Sequence, residues 1–163
     1  MIKIKLKDGT VKEFEKGVSV LDVAKSISQR LAKASVGGLV NGKVAELNDK
    51  IENDSEVSIL TFEDEQGKKI FWHTSSHVLA QAIKRLYPEV KLAIGPSIDN
   101  GFYYDIDADF TITDEILGKI ENEMKSVVKE DLKLEKFVLP RAEAIKFMKE
   151  RKEPYKVELI EDL

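Results

Sequence analysis

An α+β chain in two parts is the fold class this sequence predicts, and three observations predict it. Residues 1–62 interleave period-two apolar strands with one strongly capped helix. Residues 63–69, Glu-Asp-Glu-Gln-Gly-Lys-Lys, carry charge and a glycine but no periodicity, which marks a linker. From residue 70 a helix-spaced apolar stripe leads into short β-prone runs and further helices. The 163 residues are 42% apolar, enough to bury a core in each part. No apolar run approaches the roughly 18 residues that span a bilayer, and Met1-Ile2-Lys3-Ile4-Lys5 has no signal-peptide core behind it. The expected location is therefore the cytoplasm, with no membrane partner. Cysteine is absent, which removes disulfides, thiolate nucleophiles and sulfur-based zinc sites. Charge is nearly balanced at +1 in residues 1–62 and −5 in 63–163, neither of them the strongly basic footprint of an autonomous nucleic-acid binder.

Ile2, Ile4 and Leu6 alternate with Lys3, Lys5 and Lys7, the pattern of a half-buried strand. Asp8-Gly9 turns the chain into a second strand over residues 10–15. Ser19 caps the helix that follows, with Asp22 three residues on, Val18 and Val23 as a hydrophobic staple, and Val20, Ala24, Ile27 and Leu31 on one face. Residues 36–40 and 43–47 flank Asn41-Gly42, a second hairpin signal. Val57, Ile59 and Thr61 alternate in a last strand after the Asn53-Asp54-Ser55 turn. Hairpin, helix, hairpin, strand is the order of a β-grasp, the ubiquitin-like architecture.

Four stretches of this part carry a family resemblance: Lys7-Asp8-Gly9, the Gly-Val-Ser-Val-Leu-Asp-Val-Ala helix start over 17–24, Val40-Asn41-Gly42, and the closing Ile59-Leu60-Thr61. Together they resemble a TGS domain, an appended module with nothing catalytic in it. Lys3, Lys5 and Lys7 suit either a solvated face that blocks edge aggregation or an RNA contact surface, and such a module can equally bind protein.

Beyond the 63–69 run, Trp72, Leu79, Ala82, Ile83 and Leu86 recur at helical spacing and Pro88 ends the segment, predicting a helix over residues 70–87. His73 and His77, the chain's two histidines, sit four apart on it and therefore on one face. With Leu79 set at 0°, they fall near ~120° and ~160°, beside Ala80 and Lys84 and away from the apolar stripe. Two flank imidazoles can hold a metal, relay a proton or orient a water; they can also be surface decoration, and spacing alone leaves these open. As metal ligands they make only half a zinc site.

Residues 91–105 read as strand, Asp99-Asn100-Gly101 turn, strand. Asp105, Asp107 and Asp109 do not form a calcium loop, because that register needs glycine at Phe110 and glutamate at Ile116. Thr111 or Thr113 caps a helix whose buried stripe is Ile116, Leu117, Ile120, Met124 and Val127. Residues 132–139 form a candidate strand, Pro140 opens a helix to about Arg151, and residues 155–160 alternate as a closing strand. No Walker-type loop, nucleophile elbow or dinucleotide fingerprint is present.

His-x-x-x-His on a helix, then Ala93-Ile94-Gly95-Pro96, then Asp99-Asn100-Gly101-Phe102-Tyr103-Tyr104-Asp105, downstream of a TGS-like module, resembles the amino-terminal region of bacterial threonyl-tRNA synthetases over essentially the whole chain. The resemblance implies a TGS β-grasp over 1–62, a linker over 63–69, and over 70–163 the first part of an editing domain, with a mixed or antiparallel sheet and helices. That domain hydrolyses seryl-tRNA(Thr) made in error. By matching motif positions it implies His73 and His77 as editing residues and Tyr104 and Lys156 as pocket residues. It further implies tRNA(Thr) as partner, a homodimer of the full-length enzyme, and ATP, magnesium and zinc in a catalytic domain outside this chain, with no cofactor within it. The family completes its editing site with a later Cys-x-x-x-His, which this sequence lacks. The expectation is a fragment truncated before that motif, inactive on its own. The alternative is a non-catalytic TGS-containing module that binds RNA or protein.

Overall fold

A computed structural model describes residues 1–163. The chain divides into two compact units, residues 1–72 and 73–163.

In the first unit β1 (Ile2–Leu6) and β2 (Val11–Phe14) form the expected hairpin. β3 (Val18–Ser19) leads into α1 (Val20–Ile27), where Ser19 accepts from the backbone N–H of Asp22 and donates its own hydroxyl to the Asp22 carboxylate. The helix does not run on to Leu31. Ser28 takes an extended backbone and its hydroxyl caps a separate α2 (Gln29–Ala34) by accepting from Leu31 N–H at 3.0 Å. That second cap turns the chain off the α1 axis and leaves Ile27 42% exposed, outside the core. β4 (Ser35–Val40) and β5 (Lys43–Ala45) meet at Asn41-Gly42, both with positive φ as a two-residue hairpin turn requires. β6 (Lys50–Ile51) pairs with β3, and β7 (Ser55–Thr61) closes the sheet.

The sheet order is β2-β1-β7-β4-β5, with β1 and β7 parallel and the other pairs antiparallel. This is the β-grasp. Ile2, Ile4, Leu6 and Val57 from the sheet meet Val20 and Val23 from α1 and Ile51 in one core. Ile4, Val20 and Val23 are fully buried, each worth about 1.5–3 kcal/mol of burial. On the opposite face Lys5 pairs with Glu56 at 2.6 Å, an exposed bridge of little energetic weight.

The expected linker over 63–69 is instead mostly helix. α3 (Glu65–Leu86) begins there, and the division between the units falls inside it. Asp64 explains the early start: its carboxylate accepts from the Thr61 N–H at 2.8 Å while its own N–H bonds the Thr61 carbonyl at 3.1 Å. A closed turn of this kind passes β7 directly into the helix. Gly67 is buried against the same Thr61 carbonyl.

In the second unit the strands are short: β8 (Lys91–Leu92), β9 (Ser97–Ile98), β10 (Gly101–Phe102) and β11 (Ile106–Asp107). They pair antiparallel as β9–β10 and β8–β11, two separate ladders rather than one sheet. α4 (Asp114–Glu130) is capped by Thr113, which accepts from Ile116 N–H, and buries Ile120 and Val127. Leu117, expected in that stripe, is 53% exposed. Ala82, Ile83 and Val90 pack with Ile120 to form the core, flanked by Leu79, Leu86, Tyr87, Phe110 and Met124. Residues 132–139 form no strand, since none of the chain's strands pairs with them, and Leu134, Phe137 and Val138 lie exposed. After α5 (Arg141–Glu150), residues 155–160 are not a strand but part of α6 (Pro154–Glu161). Pro154 sits at its first turn, where proline's missing donor costs nothing, and of the alternating set only Val157 is buried.

Candidate functional site

The candidate site lies in the second unit and begins with the two histidines on α3. Both are exposed, on the flank that helical geometry predicts. Between them Ser76 is fully buried with its hydroxyl donating to the His73 carbonyl at 2.7 Å, and Ala80 is 6% exposed. The i, i+4 spacing stacks the imidazoles edge to face, with centroids 4.6 Å apart and planes at 86°, and brings the two Nε2 atoms to 3.1 Å. At that separation one Nε2 carries a proton and the other accepts it, so the rings share a single proton between facing nitrogens.

Lys156, carried on α6, donates to the Ala93 carbonyl at 2.6 Å and to the Tyr104 hydroxyl at 3.1 Å, and its ammonium stands 5.4 Å from the centre of the Tyr104 ring. Tyr104 in turn packs its ring against Gly95. A Cβ at that position would stand 2.9 Å from the ring's Cγ and closer still to its edge, so only glycine leaves room for the ring. Partial enclosure first, then the neighbouring His73 and then the Lys156 charge push the His77 imidazole below its ordinary value near 6.5. The field of Lys156 at His77 links the two pairs. The structure thus brings His73 onto His77 and, separately, Lys156 onto Tyr104, and the Lys156 charge is felt at His77.

A histidine whose folded-state pKa is depressed binds fewer protons than it does in the unfolded chain. Its contribution to stability is present above its unfolded value and is lost as the pH falls through the folded one. The shift favours the uncharged imidazole at His77.

The chemistry open to this set is acid–base. Cysteine is absent, and the Ser76 hydroxyl is buried and committed to a carbonyl. Two imidazole nitrogens are fewer donors than a zinc site uses, and no group of three or more histidine or carboxylate side chains converges anywhere in the chain. Sequence reasoning missed Gly95 and the Ala93 carbonyl as parts of the site. The Gly-Pro pair over 95–96 signals a backbone constraint but does not say which ring it seats.

A family model described as the TGS domain matches residues 2–61. Over 160 residues the chain is 65% identical to a threonine–tRNA ligase of Caldanaerobacter subterraneus subsp. tengcongensis, which covers 98% of this chain and 25% of that protein. It is 64% identical over 163 residues to the threonine–tRNA ligases of Clostridium kluyveri and Clostridium tetani, covering 100% of this chain and 26% of each relative. The chain thus spans about a quarter of the length of the relatives it matches.

Proposed function

Because residues 2–61 are a TGS domain and the whole chain is homologous to the amino-terminal region of threonine–tRNA ligases, we propose that it supplies one wall of a hydrolytic site that clears seryl-tRNA(Thr). The observation that carries this reading is the 3.1 Å approach of two histidine Nε2 atoms, in the same unit as a lysine and a tyrosine that hold each other. Serine lacks one methyl of threonine, and a synthetic pocket separates such a pair by only ~1–3 kcal/mol, so a second, hydrolytic sieve is the physical remedy.

In this mechanism neutral His77 and its partner His73 take the proton of a water as it attacks the aminoacyl ester. The C–O bond to the tRNA ribose breaks, and the proton returns to the leaving hydroxyl. In this reading the Lys156 ammonium and the Tyr104 hydroxyl are the groups that would stabilise negative charge developing on the carbonyl oxygen or hold the substrate's amino acid. The 3.1 Å contact supports the relay role, because a proton passes between the two rings without either moving. tRNA(Thr) is the partner in this reading, in the cytoplasm, with the full-length ligase as a homodimer. ATP, magnesium and zinc belong to synthetic chemistry whose motifs are not among these residues, and no step here is routed through them.

The test is selectivity in a full-length threonine–tRNA ligase carrying this sequence. Seryl-tRNA(Thr) should be hydrolysed about 10–100-fold faster than threonyl-tRNA(Thr), the range one methyl group supports. Equal rates on both esters would contradict an editing role.

A further inference from the structure

Glu153 is the one buried carboxylate in the chain, 7% exposed, and nothing in the hydrolytic chemistry uses it. One of its oxygens pairs with Lys84 Nζ at 2.9 Å and the other accepts the Leu92 N–H at 3.1 Å. Its backbone carbonyl accepts the N–H groups of Lys156 at 3.1 Å and Val157 at 3.2 Å, so the first turn of α6, which carries Lys156, is built on this residue.

The partners are placed as tellingly as Glu153 itself. Lys84 lies seven residues after His77, two turns along the same face of α3, and its ammonium also donates to the carbonyls of Pro88 at 2.8 Å and Val90 at 2.9 Å. Leu92 immediately precedes Ala93, whose carbonyl receives the Lys156 ammonium at 2.6 Å. Glu153 therefore grips the helix that bears the histidines, the strand that bears the lysine's acceptor and the turn that bears the lysine.

We infer that Glu153 is a positioning residue of the candidate site, clamping α6 to α3 and β8 so that Lys156 is held on Tyr104 and on the Ala93 carbonyl. Burying an ion pair gains little stability over apolar packing, since desolvation offsets the attraction. A leucine at 153 would fill the space; it would not fix both the helix and the strand at defined distances. The activity consequence of this clamp rests on the hydrolytic reading; the geometric consequence does not.

The experiment has two arms. In the 163-residue chain, Glu153→Gln keeps the volume and one acceptor, and the fold is checked by its amide spectrum. The nuclear Overhauser contacts between the Lys156 ε-protons and the Tyr104 ring should weaken or vanish, while the His73–His77 contacts within α3 persist. In the full-length ligase, the same variant should lower kcat for seryl-tRNA(Thr) hydrolysis about ten-fold with KM little changed, the scale on which small misplacements act. It should cost nothing further in a Lys156→Met background. Retained Lys156–Tyr104 contacts in Glu153→Gln, or losses that multiply independently in the double variant, would overturn the inference. If the contacts are lost but the ligase hydrolyses no seryl-tRNA(Thr), the positioning role stands and the hydrolytic reading falls.

Discussion

Alanine at His73 or at His77 should lower hydrolysis of seryl-tRNA(Thr) by about 10²–10⁴-fold in a ligase carrying this sequence, the range that loss of a positioned general base produces. The two Nε2 atoms lie 3.1 Å apart, and in the proposed mechanism the relay needs both rings. The double variant should then be little worse than the more damaging single one, as expected of residues that act as a unit. Both side chains are exposed and outside the core, so each substitution should change the stability of the chain by less than about 0.5 kcal/mol. The measurement is the first-order decay of the ester at saturating enzyme, paired with a denaturant melt. A decay rate within two-fold of the parent in both single variants would remove the histidines from the mechanism.

The second large effect concerns Gly67. Glycine inside a helix ordinarily costs about 1 kcal/mol against alanine, so Gly67→Ala would stabilise α3 if propensity decided the outcome. Packing reverses the sign. A Cβ at this position would stand 2.8 Å from the Thr61 carbonyl carbon and within overlap of its oxygen, with Val36 Cγ2 at 3.3 Å on the other side. Thr61 is fixed by Asp64 on both its N–H and its hydroxyl and cannot retreat without opening that turn. The expected result is a loss of about 3 kcal/mol, at the upper end of what overpacking costs, read by chemical denaturation of the 163-residue chain. Gly118→Ala on α4, with nothing within 4 Å, is the control and should gain up to about 1 kcal/mol. Equal gains at both positions would show that the β7–α3 turn is looser than described.

Where one rule decides the outcome, the sequence was legible. The Ser19 cap, the Asn41-Gly42 turn and the Ile2-Ile4-Leu6 alternation each rest on a short-range signal, and each appears as expected. The misreadings come from competition between rules. Charge and glycine made residues 63–69 look like a linker, whereas the turn closed by Asp64 starts a helix at the next residue. Tyr155, Val157 and Leu159 alternate as a strand would, but Pro154 at the first turn and Glu153 beneath it make them helical. Ser28 carried a second cap that a continuous apolar stripe concealed.

The site divides in the same way. The i, i+4 spacing of His73 and His77 sufficed to bring their rings together, because a helix converts spacing into distance directly. Tyr104 and Lys156 were reachable only through family resemblance, since their contact joins positions 52 residues apart and no local rule carries that far. Gly95 and Glu153 gave still less warning. Each acts through a contact with a ring or an ammonium elsewhere in the chain, which neither the Gly95-Pro96 pair nor the residues around Glu153 announce.

If His73, His77, Tyr104 and Lys156 form one electrostatically coupled site, titration of the His77 ring followed by NMR in the 163-residue chain tests it most directly. The His77 midpoint should lie below 6.5 in the parent and rise toward that value in Lys156→Met and in His73→Ala, because each variant removes a neighbour that disfavours the imidazolium. A His77 midpoint at or above 6.5 in the parent, or one that does not move in Lys156→Met, would contradict a shared site and leave the histidines and the lysine as unrelated features of the surface.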